Sequence, residues 1–148
     1  MRVIDAIRRS GVGVGPESTI HHAAVIMEKS GVGALAIIDG THLIGLVTDR
    51  DLVRRGLAAN LPPDSRVDGV MTSPVVTIDA EADLHQAFAM FRTNGIRRLA
   101  VIRQQQFVGM LTIDDLLINL AADLSDLARP VTAEVLFGYH ESRLPVTR

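Results

Sequence analysis

Two short stretches of this chain carry residue types able to do chemistry. They read Gly45-Leu46-Val47-Thr48-Asp49-Arg50-Asp51-Leu52 and Gly109-Met110-Leu111-Thr112-Ile113-Asp114-Asp115-Leu116. Each places a threonine hydroxyl three residues ahead of an aspartate carboxylate, where an apolar run gives way to a helix start. Thr48 with Asp51, and Thr112 with Asp115, can share hydrogen bonds with a vicinal diol. The free N–H groups and positive end of a helix favour an anion nearby. A ribose carrying a phosphate meets both requirements. The same spacing is also a capping box, which satisfies backbone N–H groups and needs no ligand. On spacing alone the cap is the stronger reading. Finding it twice does not decide the matter, because a duplicated fold keeps its caps.

Other chemistry finds little support. The chain has no cysteine, so disulfides and thiolate metal sites are excluded. His21, His22, His42, His85 and His140 form no ligand spacing with an acidic partner, and no metal is expected. There is no nucleophile elbow and no serine–histidine–aspartate context, so no catalytic residue is assigned and no enzyme is expected. Gly11-Val12-Gly13-Val14-Gly15 loosely resembles a phosphate loop, but its place ahead of the first helix reads better as a flexible entry to a short strand.

The elements that position the two motifs repeat. Residues 2–52 fall on residues 66–116 at a shift of 64 without a gap. Val12 falls on Val76, Ala23 on Ala87, Gly31 on Gly95, Leu35-Ala36 on Leu99-Ala100, Ile38 on Ile102 and Gly45 on Gly109. Apolar spacing predicts a helix over Thr19–Ser30, capped by Ser18 or Thr19 and stopped by Gly31, and a partner over Asp83–Asn94 ending at Gly95. Hairpins are predicted from Ala34–Ile38 with Leu43–Val47 and from Leu99–Ile102 with Phe107–Leu111. Short strands at Val12–Val14 and Val76–Ile78, and helical turns at Val3–Ile7 and Val67–Met71, precede them. Each copy is thus a β-α-β-β-α unit, and the fold class is α/β (α+β). Ala58–Arg66, with Pro62-Pro63, is the linker. An amphipathic helix through Leu117, Leu120, Leu124 and Leu127 is expected to end before Pro130. The tail, with its apolar Val135-Leu136-Phe137, has no counterpart in the repeat.

At 148 residues, two such units are each too small to be comfortably stable alone and should share a core. With 47% hydrophobic residues, 22% charged residues and a net charge of −2, the chain is ordinary and globular, without the basic footprint of a nucleic-acid binder. No signal-peptide core opens the sequence and no apolar run approaches the ~18 residues of a membrane span. A cytoplasmic protein without membrane or nucleic-acid partners is the expectation.

With both motif sets in place, the chain resembles a CBS-domain pair, or Bateman module. VGALAIID and LIGLVTDRDLVRRG carry the match in the first copy; VMTSPVVTIDAEADLHQAF, GIRRLAVI and FVGMLTIDDLL carry it in the second. The resemblance implies domains at 1–60 and 61–124, followed by a tail at 125–148. It implies two units packed by their sheets about a pseudo-twofold axis, with two clefts that take adenosine derivatives: AMP, ADP, ATP, S-adenosylmethionine or NAD, with AMP or ATP foremost. Thr48 and Asp51, and Thr112 and Asp115, would hold the ribose. Arg97 and Arg98, which stand where the first copy has Gly33-Ala34, would meet phosphate in the second cleft. Val12, Val32, Val76 and Ile96 would flank the adenine. Arg50, replaced by Asp114 in the second copy, would favour phosphate. A regulatory nucleotide-sensing homodimer is the leading reading, with an unidentified protein as a further partner. The alternative is a ligand-free dimerisation or protein-interaction module.

Overall fold

The computed structural model describes residues 1–137, and their side chains through Pro130. Gly138–Arg148 and the side chains of Val135-Leu136-Phe137 lie outside the described residues. Met1–Ile113 forms one compact unit, and the described residues from Asp114 on belong to a second.

Helix α1 (Val3–Ala6) leads into β1 (Gly13–Val14), α2 (Ile20–Ser30), β2 (Ala34–Asp39) and β3 (His42–Thr48). A short α3 (Asp49–Asp51) runs on as a π-helix over Leu52–Leu57. The second copy begins with a 3₁₀ turn (Val67–Gly69), then β4 (Thr77–Asp79), α4 (Leu84–Asn94), β5 (Arg98–Arg103), β6 (Gln106–Thr112) and α5 (Ile113–Phe137).

Local chemistry sets the element ends. Thr19 caps α2 by accepting from His22 N at 3.0 Å, and Asp83 caps α4 by accepting from His85 N at 2.8 Å. Gly31 and Gly95 close these helices at φ 63° and 61°, a left-handed conformation that costs glycine nothing. The strands form two three-stranded sheets in the orders β1-β2-β3 and β4-β5-β6. In each, a parallel pair flanks an antiparallel hairpin, and both hairpins shift register at the same place, between Ile37 and Ile38 and between Val101 and Ile102.

The leading turns exchange partners. Val3 N donates to Ala82 O at 2.9 Å and Leu84 N to Met1 O at 2.9 Å. Their repeat equivalents do the converse: Val67 N donates to Ser18 O at 2.7 Å and Ile20 N to Ser65 O at 2.9 Å. Each copy's first residues are thus bonded to the other copy, which is a pseudo-twofold relation written in hydrogen bonds. Packing follows the same rule. Val67 and Val70 complete the first copy's core beside Ala23, Met27, Leu35, Ile37 and Val47. Burying each valine contributes about 1.5–3 kcal/mol. Gly45 and Gly109 stand at matching crossing points, against Met71 and Ile7 respectively.

Two expectations are corrected. The last helix does not end before Pro130; α5 continues to Phe137 with Pro130 inside it. Proline breaks helices by losing one hydrogen bond and crowding one turn, and here good helix formers on both sides, including Leu127, Ala128, Ala133 and Glu134, carry the helix past it. The helix after Thr48 is also only briefly α, because the chain widens to π winding after Asp51.

Candidate functional site

At the end of β3 the backbone turns from extended (Thr48 φ −108°, ψ 162°) into α3. Thr48 Oγ1 accepts from Asp51 N at 3.1 Å, and Asp51 Oδ2 accepts from Thr48 N at 3.0 Å. The capping box is formed, but it does not exhaust either side chain. The Thr48 hydroxyl hydrogen and Asp51 Oδ1 have no partner among the described residues, and both residues are only half-buried. One donor and one anionic acceptor therefore stay available side by side. That set can accept a hydrogen bond from one hydroxyl of a diol and donate to the other. The cap and the diol site are compatible.

Thr112 ends β6, and Asp114 and Asp115 stand in the first turn of α5. Val12, Val32, Val76 and Ile96 are each half-buried. Val12 and Val32 lie against the first copy's core, and the backbone carbonyls of Val12 and Val76 accept from Ala36 N and Ala100 N. Arg50 is exposed, and its backbone N donates to Asp49 Oδ1 at 2.8 Å.

The neighbouring arginines part company. Arg97 is exposed, whereas Arg98 is half-buried and pairs across the hairpin with Thr112. From there its side chain reaches the first copy. A β-carbon built on Gly33 would stand 3.2 Å from Arg98 Nη2 and 3.3 Å from Asp49 Oδ2. The Gly33 carbonyl in turn accepts from Asp49 N at 3.0 Å. Sequence reasoning treated Gly33 only as a missing charge and passed over Asp49.

Electrostatic perturbation is concentrated elsewhere. Arg2 donates to Asp5 at 3.1 Å and to Glu81 at 2.7 Å, and Arg103 donates to Glu81 at 2.6 Å. These hydrogen bonds hold the Asp5 and Glu81 carboxyls below their ordinary range. Asp83 is lowered by its backbone and side-chain bonds from His85, and Asp68 by Arg66. All four are structural carboxylates at element ends.

Two interlocked β-α-β-β-α copies, each with a Gly-x-x-Thr-x-x-Asp strand exit, define a tandem α/β module. The family model for the CBS domain matches residues 3–58 and again 67–122. The chain belongs to the CBS-domain family, whose paired domains are regulatory ligand-binding modules. It is 31% identical over 117 residues to the CBS domain-containing protein YhcV of Bacillus subtilis, covering 79% of this chain and 84% of that one. The crystal structure of Hypoxic Response Protein I with two coordinated zinc ions superposes with a TM-score of 0.70 at 32% identity, covering 78% of this chain and 96% of that one. The CBS domain protein PAE2072 of Pyrobaculum aerophilum, solved complexed with AMP, superposes with a TM-score of 0.71 at 25% identity, covering 82% and 99%.

Proposed function

We propose that this chain is a non-catalytic regulatory module that binds an adenosine-containing nucleotide, AMP or ATP foremost among AMP, ADP, ATP, S-adenosylmethionine and NAD. The observation that carries the reading is the half-spent Thr48–Asp51 box, which keeps one hydroxyl donor and one carboxylate oxygen for a ribose. The AMP held by the Pyrobaculum relative supports the ligand class. In this reading Thr112 and Asp115 are the matching pair of the second copy, in domains bounded at 1–60 and 61–124 with a tail at 125–148. Val12, Val32, Val76 and Ile96 flank the base, and Arg50, Arg97 and Arg98 supply positive charge. Among the described residues no group of three or more His, Cys, Asp or Glu side chains gathers as a metal site, and the zinc of the hypoxic-response relative is not carried over.

The cytoplasm is the proposed setting and a homodimer the proposed assembly. Val53, Leu57 and Leu61, 56%, 75% and 38% exposed, support the assembly. With Ile20, Ala24 and Leu52 they line an open apolar groove of about 250 Å³. No helix among the described residues is long and apolar enough to cross a membrane.

A melting panel tests the ligand reading. A ligand bound only by the folded state adds about 2.7 kcal/mol at a hundredfold excess over Kd, a shift of several degrees. Asp51→Asn keeps an acceptor for Thr48 N but removes the anion, so it should melt near the parent without ligand and lose most of the AMP shift. No shift with any of the five compounds at millimolar concentration would leave the interaction-module reading in its place.

A further inference from the structure

After the second copy's motif the chain goes on in α winding; after the first copy's it widens. Ala58 N donates to Val53 O at 2.8 Å and Leu61 N to Gly56 O at 3.0 Å. Each bond spans five residues, where α winding spans four. Among the described residues Leu52–Leu57 is the one π segment. Such winding is rare and recurs at functional sites. Three features hold it here. Upstream, Asp51 closes the capping box with Thr48 and is also the residue from which the π segment starts. In the middle, Gly56 is buried against α2, where a β-carbon would already meet Ile20 Cδ1 at 3.4 Å. Beside it, Arg55 Nη1 donates to Met71 O at 3.0 Å and to Val70 O at 3.4 Å, so backbone carbonyls of the second copy grip the segment. The repeat equivalents differ. Leu120 stands for Gly56, and Asn119 for Arg55, with its Nδ2 donating to Asp115 O at 2.7 Å inside its own helix.

The same residues shape the apolar groove, which Leu52, Val53 and Leu57 line together with Ile20 and Ala24. Rewinding the segment to α would turn the chain beyond it by about 100° for each residue given up, and would carry Leu57 and Leu61 off the face they occupy. We infer that Leu52–Leu57 is a winding switch, which couples occupancy of the Thr48–Asp51 motif to the shape of the apolar groove through the choice between π and α. This rests on the ribose reading of Thr48 and Asp51 and goes further by naming the element that carries occupancy to a surface. The closed box and the π winding occur together and share Asp51. A ligand that uses the box therefore favours the π winding and the groove that comes with it. By linkage, whatever fills the groove in that shape tightens the ligand. Gly56 and Arg55 are positioning residues: they set the winding and lie outside the motif.

The chain has no cysteine, so Leu57→Cys supplies a unique thiol for a nitroxide label in the full-length protein. Leu127→Cys, at a position 70% exposed on α5, is the control. With AMP at saturation, checked by isothermal titration, the paramagnetic resonance line shape should change at 57 and stay the same at 127. Deleting Gly56 takes out a residue of the wide turn and should weaken AMP by about fivefold or more with Thr48 and Asp51 intact. Arg55→Ala should weaken AMP in the same direction by less. A merely structural role would lower the melting temperature of these variants and leave the AMP affinity of the folded protein unchanged. Unchanged affinity in either folded variant would overturn the coupling, and so would a silent label at 57 in AMP-saturated protein. In both cases the ribose reading would stand. Should the deletion not fold, Arg55→Ala and the label decide. If neither AMP nor ATP bound the parent, both readings would fall together.

Discussion

After the shared Thr-x-x-Asp, the first copy winds from α3 into a π-helix and turns away at Leu57, whereas the second runs on as α5 to Phe137. Upstream of the motif the two halves share the crossed backbone bonds of the leading turns, the register shift in each hairpin and the glycine that ends each long helix. The contrast shows where the repeat is constrained. Strands, hairpin and leading turn are fixed by partners in both copies and have stayed alike. Among the described residues the segment following the motif makes no such exchange of backbone hydrogen bonds between the copies, and there the two differ. The axis positions show the same freedom, since only one of them carries a guanidinium.

The largest test of this likeness lies in the cores. Leu35 and Leu99 are repeat equivalents, each fully buried. Leu35→Ala and Leu99→Ala should each cost about 2–5 kcal/mol in chemical denaturation. Because Val67 and Val70 sit in the first copy's core and α1 packs on α4 of the second, both variants should still unfold in one transition. Two separated calorimetric peaks in either variant would break the picture of interlocked halves.

A middle-sized effect separates the motif from an ordinary cap. Thr19→Ala and Thr48→Ala each remove an N-cap hydroxyl and should each cost about 0.5–2 kcal/mol. Only Thr48→Ala should also reduce the AMP-induced melting shift. An equal reduction in Thr19→Ala would show that the loss comes from general destabilisation.

The smallest effect distinguishes the two junctions where leading turns cross over. The Val3–Leu84 junction is flanked by Asp5, Glu81 and Asp83, the Val67–Ile20 junction by Asp68, and all four carboxyls are lowered in the folded state. A lowered carboxyl contributes stability that is full above its ordinary value and is lost as pH falls through its folded value. Hydrogen exchange below pH 4.5, the ordinary glutamate value, should therefore open the amides of Val3 and Leu84 before those of Val67 and Ile20. The difference should shrink in high salt, because these ion pairs are solvent-exposed. Simultaneous opening would assign the junctions equal electrostatic support.

Much of this was legible in the sequence because the information was local. The cap Thr19, the stops Gly31 and Gly95, and the polar turns between apolar strands each act within a few residues, and the helices and hairpins fall where they point, with Asp83 capping the helix it was expected to begin. The motif was legible as a pair of alternatives, and the geometry keeps both: Thr48 and Asp51 form the box with atoms to spare. What escaped was long-range or energetic. Nothing in the string Val67-Asp68-Gly69-Val70 says that its valines belong to the first copy's core. The end of Arg98 lies in the other copy from its backbone, which no pattern within the second copy could reveal. Helix continuation through Pro130 and π winding after Asp51 are balances of a few kcal/mol that residue type alone does not decide.

The crossing of the leading turns has a consequence for how such a protein can be divided. A cut in the linker at Ala58–Arg66 looks clean on the page, yet it would not yield two independent modules. The upstream fragment would lack Val67 and Val70 from its interior, and the downstream fragment would lack the buried turn α1 that packs on α4. Supplied together, the two fragments carry every missing part and can rebuild one particle. The repeat unit of the sequence is therefore not the packing unit of the molecule: the interior of the first copy is completed by residues of the second.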